Sequence, residues 1–520
     1  MPPRDDATWG ANQPLVTIAR NLFTRYLMII ADTAIGLFML PFNVAHLGAE
    51  AYGLWLLTAS ITTYFSILDL GYGGALVKYV AQYRAWRDAR AINEITSTLF
   101  AVFAGVGLAC YGIAMAIAFN VQHVFALSPD QVPVARAVLL IVSVQFAVSF
   151  PFAVFGGVIN GFQRYDTNNV VAIGSSVAVA VANIAVLLSG GGLVELVAWT
   201  TSIRIVALFV YRANAYRIFP ALRIRFSSVS RARLREVSGF SVYSLIIDWA
   251  NKLNYAIDPL IIGVFLGPGP VAVWAVAQRI IWAVQRLTNQ LNSVLFPVVV
   301  DSDAGKRPDH LRAIVLQGTR LSLATVIPIT LCIVMVAPAL VMAWVGPGFE
   351  TSAVVIQILC VAVAVRVGNA SATTLLKGAG EHRFIALSNL AVSAVNVAIS
   401  VALIRPFGLI GDALGTLIPV AIASTFFQFP AACRRTGLPL GTAWWRGVWP
   451  ALWPAAPVAG LLFGIAPYVP ARLSAIAAVS VAASALYLVL FVVFAVGTSD
   501  RALYLRKARQ LMVWASPQTA

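Results

Sequence analysis

Charge is what this sequence lacks. Only 11% of its 520 residues are Asp, Glu, Lys or Arg, about half of what a soluble chain carries to cover its surface. Acid is scarcer still, with 20 Asp and Glu against 36 Lys and Arg and a net charge of +16. Histidine and cysteine number four each. His46, His123, His310 and His382 fall near loops without metal-ligand spacing, so no metal site is expected. Cys110, Cys332, Cys360 and Cys433 lie in or at the ends of apolar runs and read as small buried hydrophobes.

Catalytic signatures are missing too. No GxxxxGK[ST] loop is present, which excludes an internal ATPase of that type. GYGGAL at 71–76 and GPGPVA at 267–272 fail the dinucleotide pattern. No Ser-His-Asp arrangement is suggested, and the longest loop between apolar runs, 212–237, leaves no room for a catalytic domain. The expectation is a protein that is not an enzyme and has no cofactor. Residues 1–20 are polar and lack the short apolar core of a cleavable signal, so the first span is expected to serve for insertion.

What is present is apolar. Hydrophobic residues make up 60% of the chain. Runs of 20 or more recur from Leu22 to Val496 without alternation, the mark of membrane-spanning helices rather than strands. Fourteen spans fit: 21–45, 51–73, 95–119, 134–159, 169–189, 193–211, 238–265, 270–299, 314–344, 352–376, 384–404, 409–432, 447–467 and 473–496. Assigning the loops alternately puts 27 of the 36 basic residues on one side and only Arg136, Arg405 and Arg472 on the other. By the positive-inside rule both termini are cytoplasmic. This placement explains the net charge without a nucleic-acid partner.

The first twelve spans divide into two similar sets of six. LGAEAYGLW at 47–55 matches LGPGPVAVW at 266–274, VINGFQRYD at 158–166 matches LLKGAGEHR at 375–383, and ANIAV at 182–186 matches VNVAI at 395–399. Six helices per copy insert both copies the same way up, a parallel repeat enclosing a cleft where carriers bind substrate. The expected fold is an all-α integral membrane protein with two six-helix lobes. Its parts are a cytoplasmic segment 1–20, an N-lobe 21–211, a basic cytoplasmic linker 212–237, a C-lobe 238–432, two additional helices 447–496, and a cytoplasmic tail 497–520.

Charges inside spans are costly, so they tend to face a bundle interior or water. The first span sets Asn21, Arg25, Met28 and Asp32 on one face; the seventh carries Asp248, Asn251, Lys252, Tyr255 and Asp258 on one arc. The eighth aligns Arg279, Trp282, Arg286, Gln290 and Ser293. Arg25 and Arg320 also fit snorkelling to headgroups, and Asp248–Lys252 fits a structural pair. Arg279 and Arg286 have no acid on their own helix. A guanidinium forks well onto phosphate oxygens, so these two, with Arg25 and Lys252, are the expected diphosphate contacts. Asp32, Asp248, Asp258, Asn251, Tyr255 and Gln290 are the expected polar or coupling groups of the cleft.

LGAEAYGLWLLTASITTYFSILDLGYGGALVKYVAQY at 47–83, INGFQRYDTNN at 159–169, and IDPLIIGVFLG, VWAVAQRI and LFP between 257 and 297 resemble the polysaccharide-transporter, or Wzx-like, branch of the MOP superfamily. The resemblance spans helices one to twelve. It implies a cavity open alternately to each side and export of undecaprenyl-diphosphate-linked oligosaccharide across the bacterial inner membrane. It also implies that Asp258 corresponds to an acidic position of the family. Expected partners are the lipid-linked glycan, membrane lipid, and a polymerase or glycosyltransferases. Three other readings stand beside this one: a lipid II-type flippase, a MATE-like cation exporter, and a non-transporting scaffold for glycosyltransferases. Six intramembrane cations against Asp32, Asp248 and Asp258 weigh against cation export, and a scaffold has no need of charged stripes.

Overall fold

The computed structural model describes residues 14–65, 72–237, 257–288 and 290–495, though not every side chain within them. Every regular element among them is helical, as backbone satisfaction in lipid requires. Among the described residues, ten helices are long and apolar enough to cross a membrane. Two of these, Ala19–Thr62 at 44 residues and His382–Thr436 at 55, are more than twice the roughly 20 residues that one crossing needs. Each contains one glycine outside helical geometry, Gly48 (φ 77°) and Gly408 (φ 58°).

By compactness the chain forms two units, Met1–Ala275 and Val276–Ala520. Unit 1 is built from α1 (Pro14–Phe65), α2 (Tyr72–Ala85), α3 (Ala89–Phe119), α4 (Gln131–Gly161), α5 (Tyr165–Leu188), α6 (Leu193–Ile218), α7 (Asp258–Phe265) and the start of α8 (Pro268–Thr288). Leu57, Leu76, Ile92, Ile95, Leu99, Phe103, Leu139 and Ile159 form its buried apolar centre. Lipid tails are as apolar as these side chains, so close packing rather than water exclusion must hold the helices together. Glycines supply that approach: a Cβ at Gly157 would collide with Leu76, and one at Gly107 with the Ala147 carbonyl. Asp88 caps α3, its side chain accepting from the Ala91 amide at 2.9 Å. α7 belongs to this unit because the Ala126 amide donates to the Gly263 carbonyl at 3.2 Å and Gly263 lies against Leu57.

Unit 2 continues with α9 (Gln290–Ala304), α10 (Pro308–Trp344), α11 (Glu350–Gly368), α12 (Ala370–Gly378) and α13 (His382–Ile422). A π-helical turn, Ala423–Gln428, leads into α14 (Phe429–Thr436), and a second, Trp444–Val448, lies inside the following span. α15 (Ala455–Ile465) and α16 (Leu473–Leu490) complete it. The Tyr487 hydroxyl ties the last span back by donating to the Ala451 carbonyl at 2.6 Å.

The sequence repeat is written in the backbone. Gly48 and its counterpart Gly267 both take positive φ, 77° and 87°. Gln163 and its counterpart Gly380 do likewise, at 60° and 84°. Helices end at the matched Gly161 and Gly378 and restart at the matched Tyr165 and His382. A Cβ at Gly161 would strike Val80, and one at Gly378 would strike Val299, so each lobe repeats the same helix contact.

The segment expected as a linker is a pinned strap. α6 runs on to Ile218, and the chain then crosses the end of α3. Asn93 donates to the Ala221 carbonyl at 3.0 Å and accepts from the Arg223 amide at 2.8 Å. Ser97 accepts from the Arg225 amide at 3.1 Å, and Thr98 from the Ser230 amide at 3.0 Å. A helix over 231–237 carries Arg233, which joins Glu94 at 3.2 Å, Glu236 at 3.0 Å and the Tyr83 hydroxyl at 2.8 Å. Burial and the Glu236 carboxylate push the Tyr83 hydroxyl up, so it remains a donor. Asn93→Ala removes two bonds worth about 1 kcal/mol each. Tryptic cleavage in the strap is expected to quicken about tenfold or more, since cleavage tracks the opened population. Unchanged cleavage would mean the strap is held elsewhere.

Candidate functional site

The polar interior of unit 1 begins with two helices running side by side in the same direction. Asn21 of α1 accepts from the Asp166 amide at 2.9 Å and donates to the Gln163 carbonyl at 3.0 Å. One turn on, Asn169 of α5 donates to the Thr24 hydroxyl at 3.1 Å. Two turns further, the Ser176 hydroxyl donates to the Asp32 carboxylate at 3.0 Å. Three rungs thus join α1 to α5 at a nearly constant separation of 144 or 145 residues. At the basic end Asp166 gathers Arg20 and Arg164, each at 3.1 Å.

Arg204 of α6 lies within electrostatic reach of Asp32. Opposite charges in a low dielectric attract more strongly than in water, and each keeps the other from being stranded. Asp32→Asn and Arg204→Gln should each destabilise the protein. The double variant should lose less than the sum, with a coupling of about 1–2 kcal/mol by unfolding in detergent. Strict additivity would show that the pair is not energetically joined.

Arg25, on the same face as Asp32, is exposed. Asp258 starts α7, is only 5% exposed, and lies within electrostatic reach of Tyr64. Asp248, Asn251, Lys252 and Tyr255 lie outside the described residues, as does the Gln290 side chain.

From Ala275 onward α8 has two faces. Val276, Ala277, Ile280, Ile281 and Val284 are buried, whereas Arg279 is half-buried and Trp282 and Arg286 are exposed. Arg279 and Arg286 are two turns apart on the open side, about 10 Å along the axis. Of the stripe read from the sequence, Arg279, Trp282 and Arg286 share this side, and the Gln290 and Ser293 side chains lie outside the described residues.

Unit 2 holds residues that periodicity does not single out. Arg320, expected to fit snorkelling, is 8% exposed within α10. A polar thread crosses the unit: Asn369 donates to Gln428 at 2.7 Å, and Gln428 to Ser388 at 2.9 Å. It borders a largely apolar cavity of about 1030 Å³ that includes Thr319, Leu323, Asn369 and Phe429, with Arg434 and Trp444 also on its wall. Asp412, fully buried in the 409–432 span, is an intramembrane acid that the charge balance above leaves out. Among the described residues no group of three or more His, Cys, Asp or Glu is placed to hold a metal ion.

A family described as "Polysaccharide biosynthesis protein" matches residues 18–302, more than half of the chain. The chain belongs to that family. The membrane protein EpsK of Bacillus subtilis (strain 168), described as uncharacterized, is 23% identical over 427 residues, covering 80% of this chain and 83% of EpsK. The probable flippase AglR of Haloferax volcanii is 21% identical over 419 residues, covering 79% and 82%. Among solved structures, the lipid II flippase MurJ in its inward closed conformation superposes with a TM-score of 0.66 at 13% identity, over 92% of this chain and 98% of MurJ. An inward-facing multidrug resistance MATE transporter of the MOP superfamily gives 0.64 at 15%, over 81% and 98%. The fold of this polysaccharide biosynthesis protein is thus that of the MOP superfamily. It is a multi-pass membrane protein.

Proposed function

We propose that this protein carries an undecaprenyl-diphosphate-linked oligosaccharide across the bacterial cytoplasmic membrane by alternating access. The observation that supports this most directly is the open face of α8, where Arg279 and Arg286 present two guanidinium groups opposite a buried apolar face. A diphosphate offers a pair of anionic groups, each suited to a bidentate fork. Arg25 and Lys252 are assigned to the same headgroup. Asp32, bonded by Ser176 and beside Arg204, is assigned the coupling role, with Asp248 and Asp258 as further acids of the pathway.

The pairing of Asp32 with Arg204 favours this cargo over a cationic drug. A carboxylate within electrostatic reach of a guanidinium offers a cation less attraction than one without it. A polymerase or glycosyltransferases are the proposed partners. In cells lacking the protein, the lipid-linked repeat unit should accumulate in the inner leaflet, shielded from a membrane-impermeant probe of the sugar. Normal exposure of that intermediate outside the membrane would refute the reading.

A further inference from the structure

We infer that the basic end of unit 1 carries a binding site for the phosphate headgroup of an anionic phospholipid, formed by Arg212 and Arg225 over an aromatic floor. A cavity of about 260 Å³ opens between α3, α4, α6 and the strap. Arg212 enters it from α6 and Arg225 from the strap. Its walls are aromatic: Phe100 meets Phe226 edge-on at 6.5 Å, and Phe152 meets Phe155 at 5.4 Å. No acidic side chain lines it.

Among the described residues, the acids of this end are engaged elsewhere. Asp88 caps α3, Glu94 takes Arg90 and Arg233, Asp166 takes Arg20 and Arg164, and Glu236 takes Arg233 and Tyr83. Arg212 rests on the Tyr216 ring at 5.7 Å, and no ion pair is formed by it or by Arg225 among the described residues. Two guanidinium groups held at one cavity without acid call for an anion.

Its depth and walls identify the source of that anion. Arg212 stands six residues before the end of α6, about 9 Å inside the helix terminus. Phe226, 75% exposed, marks the rim with an apolar ring. Aromatic rings beside basic groups at a helix end are the signature of the headgroup layer, where cytoplasmic lipid is anionic. A soluble anion would have no use for the ring walls, and a lipid's glycerol backbone and first methylenes would cover them. The strap holds Arg225 in place through the Ser97 and Asn93 bonds, so the site is formed before lipid arrives.

Native mass spectrometry of the full chain, released from detergent with equal phosphatidylglycerol and phosphatidylethanolamine, tests this. The wild type should retain phosphatidylglycerol preferentially, and Arg212→Gln with Arg225→Gln should lower that preference about 25-fold, near fivefold for each arginine. Asn93→Ala, with both arginines present, should weaken it partly. Equal retention of the two lipids by the wild type, a measurement that needs no variant, would overturn the proposal. So would unchanged retention in the double variant, or complete displacement of phosphatidylglycerol by millimolar inorganic phosphate. Preferential displacement by undecaprenyl diphosphate would assign the cavity to the transported cargo and overturn it as well.

Discussion

Replacing Arg279 and Arg286 together by glutamine should abolish export of the lipid-linked intermediate while leaving the protein inserted and folded. Arg286 is exposed and Arg279 half-buried on the open face of α8, away from the buried Val276, Ile280 and Val284, so glutamine leaves the apolar face intact. Hydrogen bonds to a charged group contribute about 1.5–3 kcal/mol each. Losing one such contact from each arginine therefore costs about two orders of magnitude or more in transport. Lysine at both positions should restore only part of it, because an ammonium is a point charge that cannot fork onto two oxygens. The measurement is the leaflet distribution of the intermediate, read with an impermeant sugar probe. Wild-type export by the glutamine pair would remove the phosphate clamp from the account.

Gly53→Val should prevent the protein from reaching a stable fold. A Cβ at Gly53 would fall on the Pro268 carbonyl, where the second half of α1 packs on the start of α8. The obstacle is backbone, which cannot rotate away as a side chain would, and close-packed interiors have no slack to absorb it. Overpacking alone costs about 1–3 kcal/mol, and a backbone collision costs more. Gly48 offers the contrast. It has open space around its Cβ position, but its φ of 77° penalises any L side chain. Gly48→Ala should cost about 1–3 kcal/mol, the strain of a backbone region essentially reserved for glycine. Thermal unfolding in detergent should rank the two, with Gly53→Val yielding little monodisperse protein; comparable stability of the two variants would refute the packing argument.

Hydropathy located apolar helices because it reports the thickness of the apolar layer. Fourteen spans were expected, and ten helices among the described residues are long and apolar enough, with most of 238–265 outside those residues. It could not report where helices end, since hydrogen bonding continues past the lipid. The span expected at 95–119 begins at Ala89 behind its Asp88 cap, and that expected at 193–211 runs to Ile218. The pinned strap was equally invisible, because Asn93, Ser97 and Thr98 look like ordinary polar residues until the chain crosses them. The shared side of Arg279, Trp282 and Arg286 on α8 was legible from periodicity, which is a property of one helix. Ser176, Asn169 and the acid near Arg204 were not, because these contacts arise from helices brought together across 144 residues or more of chain. The repeat was readable in part. Its matched glycines showed in the letters, but the pairing of Gln163 with Gly380 at positive φ did not.

Reconstitution tests the central claim most directly. Purified protein in liposomes should move a fluorescent undecaprenyl-diphosphate oligosaccharide from one leaflet to the other far faster than protein-free liposomes do. The Arg279→Gln/Arg286→Gln variant should fall to the protein-free rate, and a cationic dye should neither be transported nor compete. Dye transport with an immobile lipid-linked oligosaccharide would contradict the account.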